Sequence, residues 1–367
     1  MRVLIVGAGI AGLAAARAFE LRGIKYEVVE RRERPPTEGA GIFLLGNASR
    51  ALGDLGLLDA VTSIAYPITA QRILSSSGIV LNDTATAAVW EHCGPCLSLS
   101  RQGLISVLQN SIDPDAITYG VEVLSTNAIG DSRTVQFSDG RERDYDLVIG
   151  ASGVNSPLRE RIFGSSPRQI GISCWRTIVP SNGKIVTWTA MLGQGRTLLG
   201  IPISDTETYV YADCPSNEFG DGSVEVLKHL FRSFTGPLGL IVANLDPTTQ
   251  IHRATLQEIR AQRWIADRHV LIGDAAHASS PSMAQGAGMA IEDAVVLGEL
   301  IARGGPMADI LQRFHENRIG RVEWVQKKAR SRDKLRGGSS ALRNVVLRLF
   351  GNALYRRTYE PLTRPLL

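Results

Sequence analysis

The residues Gly7-Ala8-Gly9-Ile10-Ala11-Gly12 stand between an apolar run, Val3 to Val6, and an Ala- and Leu-rich stretch from Ala11 to Arg22, while Glu30 closes a second run that starts at Lys25. Glycines so spaced suit a phosphate-binding turn: Gly7 permits the tight turn, Gly9 lets the backbone approach a pyrophosphate near a helix N-terminus, and Gly12 allows helix and strand to pack closely. Ile10 and Ala11 belong to the same turn. Glu30, with Arg31 beside it, is placed to accept hydrogen bonds from an adenosine ribose. An acid there favours an unphosphorylated ribose, so FAD or NAD fits better than NADP, and the glycines alone do not choose between those two. Strand, glycines, helix, strand and terminal acid in register over about thirty residues make a dinucleotide fingerprint.

A second segment runs Val270-Leu271-Ile272-Gly273-Asp274-Ala275-Ala276-His277, then Pro281, then Gln285-Gly286-Ala287-Gly288-Met289, with Glu292-Asp293 inside the following helix. It resembles the second FAD-binding motif of the single-component aromatic-ring monooxygenases, the para-hydroxybenzoate hydroxylase type of flavoprotein. The resemblance implies that Asp274 hydrogen-bonds the ribityl chain and that Pro281 and the helix start lie along the isoalloxazine. Independently, a strand ending in Gly273-Asp274 presents a carboxylate at the C-terminal edge of an α/β sheet, where ligands bind. The N–H groups from Gln285 to Gly288 suit a flavin carbonyl that gains negative charge on reduction, and Met289 is assigned to the cofactor site with them. Their structural alternatives are a helix cap for Asp274 and a packed side chain for His277.

A third segment, Asp146-Leu147-Val148-Ile149-Gly150-Ala151-Ser152-Gly153-Val154-Asn155-Ser156-Pro157-Leu158-Arg159, resembles the family's middle motif, implicated in FAD and nicotinamide handling. That motif usually reads Asp-Gly where this chain has Ser152-Gly153, a loss of charge that weakens any inference about pyridine-nucleotide use. Ser156 and Arg159 read equally well as a cap and a surface charge. Gly39-Ala40-Gly41-Ile42, followed by Asn47 and Arg50, resembles the flavin-side loop, with Gly46 where family members often carry proline. Arg101, followed by Leu104 and Leu108, resembles the arginine that reaches the FAD phosphates or ribose, a surface salt bridge being its alternative. Val123 is assigned to the cofactor site with them.

The resemblance covers nearly the whole chain and is sharpest in the FAD segments. It implies FAD as cofactor, NADPH or NADH as a transient co-substrate, and O2 adding to reduced flavin to form a C4a-hydroperoxide whose distal oxygen goes to an aromatic or heteroaromatic ring. Since the cofactor performs the hard step, no amino-acid nucleophile is required and no catalytic residue is assigned. One complete fingerprint leaves NAD(P)H without a Rossmann domain of its own, which argues against two-fingerprint reductases and Baeyer-Villiger enzymes. The rival readings are reduction or halogenation on the same fold, although the Trp-x-Trp-x-Ile-Pro signature of halogenases is absent, and a non-catalytic FAD- or ligand-binding protein.

Other motifs carry less. Cys93-Gly94-Pro95-Cys96 has redox spacing, but a strand-like Leu97-Ser98-Leu99-Ser100 follows where a helix N-terminus is needed to activate a thiol. The histidines show no metal-ligand spacing, so no metal is expected. Arg330, Arg332, Lys334, Arg336, Arg343 and Arg348 make the C-terminal helices basic, which reads as a solvated face, with contact to an anionic membrane as the alternative.

These residues require a scaffold. The chain has 367 residues, 44% hydrophobic and 21% charged, enough for one large or two mid-sized cores. A net charge of +4 with scattered basic residues gives no nucleic-acid stripe. The sparse, irregularly spaced cysteines indicate a reducing compartment, simplest as cytoplasm, and the Arg2 to Val6 run reads as a strand rather than a signal peptide. No run approaches the ~20 apolar residues of a membrane span. The pattern predicts an α/β protein: a Rossmann-like FAD-binding domain (1–65, 96–165 and 263–320), an inserted, mainly antiparallel β-sheet substrate domain (166–262, with an excursion at 66–95), and a C-terminal helical segment (321–367). Helices are expected over Ala48 to Ala60, Leu104 to Ser111, Ala287 to Arg303, Leu311 to Leu335 and Ala341 to Tyr355. Strands are expected over Ile185 to Leu192 and Thr208 to Ala212. The inserted sheet should roof the flavin, and Arg176, Trp188, Tyr209 and Tyr211 are its candidate contacts to a small aromatic substrate, with Arg176 suited to a carboxylate or phenolate. Oligomeric state has no signature in the sequence.

Overall fold

Val3, Leu4 and Ile5 are fully buried, as a strand covered on both faces requires. In the computed structural model, which describes residues 1–34, 40–181, 183–260 and 263–367, their strand Arg2–Val6 lies inside a six-stranded sheet. The order is Ile265–Ala266, His269–Leu271, Leu147–Gly150, Arg2–Val6, Lys25–Glu30, Ile117–Tyr119, with every pairing parallel except that of the first two. Helices Ile10–Glu20 and Gly286–Arg303 pack together against it, and the alanines of the first keep that contact thin. Val123, Val135, Phe137 and Tyr145 of a three-stranded antiparallel sheet form a separate cluster with Leu4, Val29 and Val148.

The second large element is a seven-stranded sheet, ordered His252–Glu258, Arg168–Pro180, Glu207–Pro215, Thr197–Pro202, Trp188–Leu192, Ala70–Ser75, Val80–Ala85. Its pairings are antiparallel except between Trp188–Leu192 and Ala70–Ser75. Alternation along Glu207–Pro215 divides its two faces. Val210 and Ala212 join Trp175 and Leu198 under helices Val224–Phe231 and Pro237–Ala243, whereas Tyr209 and Tyr211 join the main core. The α/β class, with mixed parallel and antiparallel sheets, is the expected one.

Several boundaries differ from expectation. The single helix expected over Ala48 to Ala60 is two, Gly46–Asp54 and Leu58–Thr62. Gly56 breaks it: at φ +66° it occupies the left-handed region, and the Leu57 N–H turns back to the Leu52 carbonyl at 2.8 Å. The strand expected from Ile185 begins only at Trp188. The helix expected from Leu104 starts at Arg101, where Ser100 caps it by accepting from the Gly103 N–H. The last two helices, Met307–Leu335 and Ser340–Tyr359, are longer than their periodic cores suggested. Gly39 of the flavin-side loop lies outside the described residues.

Candidate active site

Three sequence-distant turns meet along the C-terminal edge of the parallel sheet. At the first, Gly7 has φ +115°, and a Cβ there would fall 2.7 Å from the Ala151 carbonyl oxygen; a Cβ on Gly12 would fall 1.9 Å from the Gly7 oxygen. Those two glycines are required by backbone packing. Gly9 differs, because a Cβ there meets nothing within 4 Å. It is the N-cap of helix Ile10–Glu20 and supplies no side-chain cap, so the first N–H groups of that helix, including those of Ile10 and Ala11, are left without a side-chain acceptor from the cap at its positive end. Glu30 stands beside them and accepts from the Ala8 and Arg32 N–H groups, each at 3.0 Å, with Arg31 exposed next to it.

At the second turn, Ser152 and Gly153 follow strand Leu147–Gly150, and the Ser152 hydroxyl donates to Ser156 Oγ at 2.7 Å. Ser156 is the cap its alternative reading predicted, accepting from the Arg159 N–H. Arg159 is not a surface charge: it is buried and donates to the Ser165 carbonyl at 2.9 Å. At the third, Gly273 and Asp274 follow strand His269–Leu271, and Asp274 is exposed at the start of a short helix, Asp274–His277. Its carboxylate lies 3.8 Å from where a Gly286 Cβ would be, beside the uncapped start of helix Gly286–Arg303. Pro281 is exposed on the loop between them.

Arg101 reaches this edge. The residue is exposed, and crowding by neighbouring atoms lowers its guanidinium pKa by desolvation while the nearby Asp274 carboxylate opposes that shift. Val123 lies apart, buried in the second cluster with its carbonyl accepting from Arg161 at 3.0 Å.

A buried polar assembly, which sequence reasoning missed, holds the third turn. Asp293 accepts from the Gly273 N–H at 2.9 Å, meets His277 Nε2 at 2.6 Å, and accepts from Arg318 Nε at 2.7 Å. Arg318 also donates to Glu292 at 2.7 Å, and Glu292 in turn accepts from Arg321 at 2.8 Å and from Asn47 at 2.8 Å. Asn47 and Gln285 exchange two amide hydrogen bonds at 2.9 Å each. Gln285 and Met289 are buried, and Met289, expected among the cofactor contacts, has both backbone groups engaged, its N–H donating to the Gln285 carbonyl at 2.8 Å and its carbonyl accepting from Arg318 at 3.2 Å. Burial alone would raise the Asp293 carboxyl pKa; His277, Arg318 and the Gly273 N–H together hold it below the ordinary value. The signal in the sequence was Glu292-Asp293 flanked by apolar neighbours on the helix, two charges that burial obliges to be paired. Nothing in the spacing named Arg318.

The inner face of the seven-stranded sheet stands over this edge. A Cβ on Gly41 would sit 2.3 Å from the Tyr209 ring, so Gly41 and Ile42, which belong not to a loop as expected but to strand Gly41–Leu44 paired antiparallel with Leu97–Ser100, are pressed against that face. Gly46 is likewise dictated by packing, since a Cβ there would meet Trp90 at 2.7 Å. Cross-strand register sets Arg176 opposite Tyr211 and Ile178 opposite Tyr209, and the Arg176 guanidinium lies 6.0 Å from the Tyr211 ring centre. Trp188 is half-buried against the same core. Burial pushes the Tyr209 phenol up to about 12 and Tyr211 well above its ordinary value, so both are neutral hydrogen-bonding groups and not bases at neutral pH. Arg336, from the C-terminal end of the long helix, pairs with Asp213 and donates to Thr197 at 3.2 Å on this sheet, a contact no local pattern foretold.

The site therefore combines two uncapped helix N-termini, the Glu30 carboxylate, the exposed Asp274 carboxylate and an arginine along one edge. That donor set is of the chemistry that the pyrophosphate, ribityl chain and ring carbonyls of FAD require.

Comparisons agree with this geometry. Residues 1–329 match the model of a family described as "FAD binding domain". A 2-heptyl-3-hydroxy-4(1H)-quinolone synthase of Pseudomonas aeruginosa is 35% identical, over 99% of this chain and 97% of that protein. An FAD-dependent urate hydroxylase of Klebsiella pneumoniae is 30% identical over 90% of this chain and 89% of that one. Among solved structures, Klebsiella pneumoniae HpxO complexed with FAD and uric acid superposes with a TM-score of 0.91 at 27% identity, covering 100% of this chain and 98% of the other.

Proposed function

This chain belongs to the FAD-binding-domain family and is an FAD-dependent monooxygenase, and from that premise we propose that it hydroxylates a planar heteroaromatic substrate held between the inner face of the seven-stranded sheet and the Pro281–Met289 turn. The observation that carries this reading is the press of strand Gly41–Leu44 onto Tyr209, because it sets an aromatic and arginine-bearing surface, Tyr209, Tyr211 and Arg176, near the edge where the three turns end. The relatives named above form a quinolone and hydroxylate urate, fused heterocycles with ring carbonyls, which supports substrates of that shape.

When bound, FAD supplies hydride acceptance from NADPH or NADH and activation of O2. The chain's own residues bind and orient. Gly9, Ile10, Ala11 and Glu30 hold the adenosine diphosphate end, with Arg31 beside them, and Arg101 and Asp274 hold the middle. The N–H groups of Gly286, Ala287 and Gly288 favour negative charge at the ring edge on reduction. Arg176 stabilises the anionic form of an enolic or phenolic substrate, which raises electron density on the ring carbon to be hydroxylated. The neutral Tyr209 and Tyr211 phenols donate or accept without competing for protons. A reducing cytoplasm fits this co-substrate and the four buried free cysteines.

The test is product analysis with isotopic oxygen. FAD-loaded protein, NAD(P)H and ¹⁸O2 are incubated with 4-quinolones, purines and amino-hydroxybenzoates. One ¹⁸O atom is expected in the product of one class, with Arg176→Met raising KM for that substrate by tenfold or more, about 1.4 kcal/mol. Flavin turnover that yields only hydrogen peroxide across the whole panel would contradict the reading.

A further inference from the structure

The C-terminal helix Ser340–Tyr359 contains four arginines and no acidic residue. Its inner side is anchored: Trp90 Nε1 donates to Tyr355 at 2.9 Å, Trp324 Nε1 donates to the Thr358 carbonyl at 3.0 Å, and Asn82 donates to Asn352 at 3.1 Å. Asn82 belongs to the edge strand Val80–Ala85 of the seven-stranded sheet, so the helix lies along that edge. Its outer side is apolar. Leu342, Val345, Val346, Leu349 and Phe350 follow helical spacing and are exposed, Leu342 by 67%, Leu349 by 68% and Phe350 by 57%. Leu335, at the end of the preceding helix, is exposed by 68%. Single exposed leucines are ordinary, but a contiguous stripe on one helix is not.

Two occupants could cover such a stripe: a second copy of the chain or a lipid surface. Charge decides between them. Arg348, Arg356 and Arg357 are exposed on this helix and Lys334 is exposed just before it, with no carboxylate on the helix to answer them. Two copies meeting through this face would bring like charges together, whereas an anionic bilayer offers both hydrocarbon for the stripe and phosphates for the arginines. Among the described residues no helix is long and apolar enough to cross a membrane, so the helix would lie in the interface plane. We propose that helix Ser340–Tyr359 docks the enzyme peripherally on anionic phospholipid bilayers, with Leu342, Val345, Leu349 and Phe350 entering the acyl boundary and the arginines at the headgroups.

The experiment is co-sedimentation of the FAD-loaded full chain with vesicles of phosphatidylcholine alone and of phosphatidylcholine with phosphatidylglycerol, at low and high salt, beside light scattering without lipid. Binding to the anionic vesicles should exceed binding to the neutral ones by roughly 100-fold, as three arginines near the surface imply, and should weaken at high salt. Leu349→Glu with Phe350→Glu should abolish it while leaving the flavin spectrum and Tm unchanged, since both side chains are exposed. Equal binding to both vesicle types, no binding to either, or a dimer in lipid-free solution that the same double variant dissociates would overturn the proposal.

Discussion

At the residue scale, the telling group is Asp293, which touches no expected ligand yet links Gly273, His277 and Arg318 within one buried assembly. Its carboxyl is held below its ordinary pKa, so the stabilisation it confers is fully present above the unfolded value, near 4, and is lost as pH falls through the depressed folded value. Asp293→Asn leaves part of the Arg318 charge unanswered in the interior and should cost about 3 kcal/mol at pH 7. It should also flatten the loss of stability on acidification. Urea unfolding at pH 7 and below pH 4, by flavin fluorescence and circular dichroism, checks both; an unchanged midpoint at pH 7 would remove the assembly from the account. Sequence made Glu292 and Asp293 conspicuous as acids among apolar neighbours, but their partner comes from another helix, and pairing across that separation is a fact of packing rather than of local pattern.

At the scale of elements, the dinucleotide turn was legible because each of its constraints is local: apolar strand, glycines at fixed offsets, small-residue helix, strand, acid. The structure separates two kinds of glycine within it. Gly9→Ala adds a methyl to open space, so apoprotein stability should stay within about 0.5 kcal/mol while FAD affinity falls by more than tenfold, because the methyl occupies the pyrophosphate's approach. Gly12→Ala drives a methyl into the Gly7 carbonyl and should lower both affinity and Tm. Fluorescence titration with FAD and thermal melts of the apoproteins distinguish them; a Gly9→Ala protein that binds FAD normally would displace the pyrophosphate from this turn. The helix over Ala48 to Ala60 was misread because Gly56 sits inside an acceptable apolar period, and only its left-handed conformation ends the helix.

At the scale of the whole molecule, the wall opposite the flavin edge is assembled from distant stretches of chain. Trp188–Leu192 pairs in parallel with Ala70–Ser75, and Arg336 returns from the C-terminal helices to Asp213 on the same sheet. Alternation showed that Tyr209 and Tyr211 share a face, but not which core that face would meet. The resemblance to flavoprotein hydroxylases supplied that expectation from the FAD motifs, and Gly41 against Tyr209 gives it a physical basis. Bound FAD, joining three turns of one sheet edge, should stabilise the chain as a unit: about 2.7 kcal/mol at a hundredfold excess over Kd, seen as a rise in Tm shared by flavin and far-ultraviolet probes.

The most direct test of the account is anaerobic mixing of the FAD-loaded protein with NADPH, and separately NADH, following flavin absorbance near 450 nm, with and without quinolone, purine and aromatic-acid ligands. The account requires that one ligand class accelerate bleaching and that oxygen then restore the flavin together with hydroxylated product. Flavin that stays oxidised with either nucleotide under every ligand would contradict an NAD(P)H-driven hydroxylase and leave a flavoprotein with a different reductant.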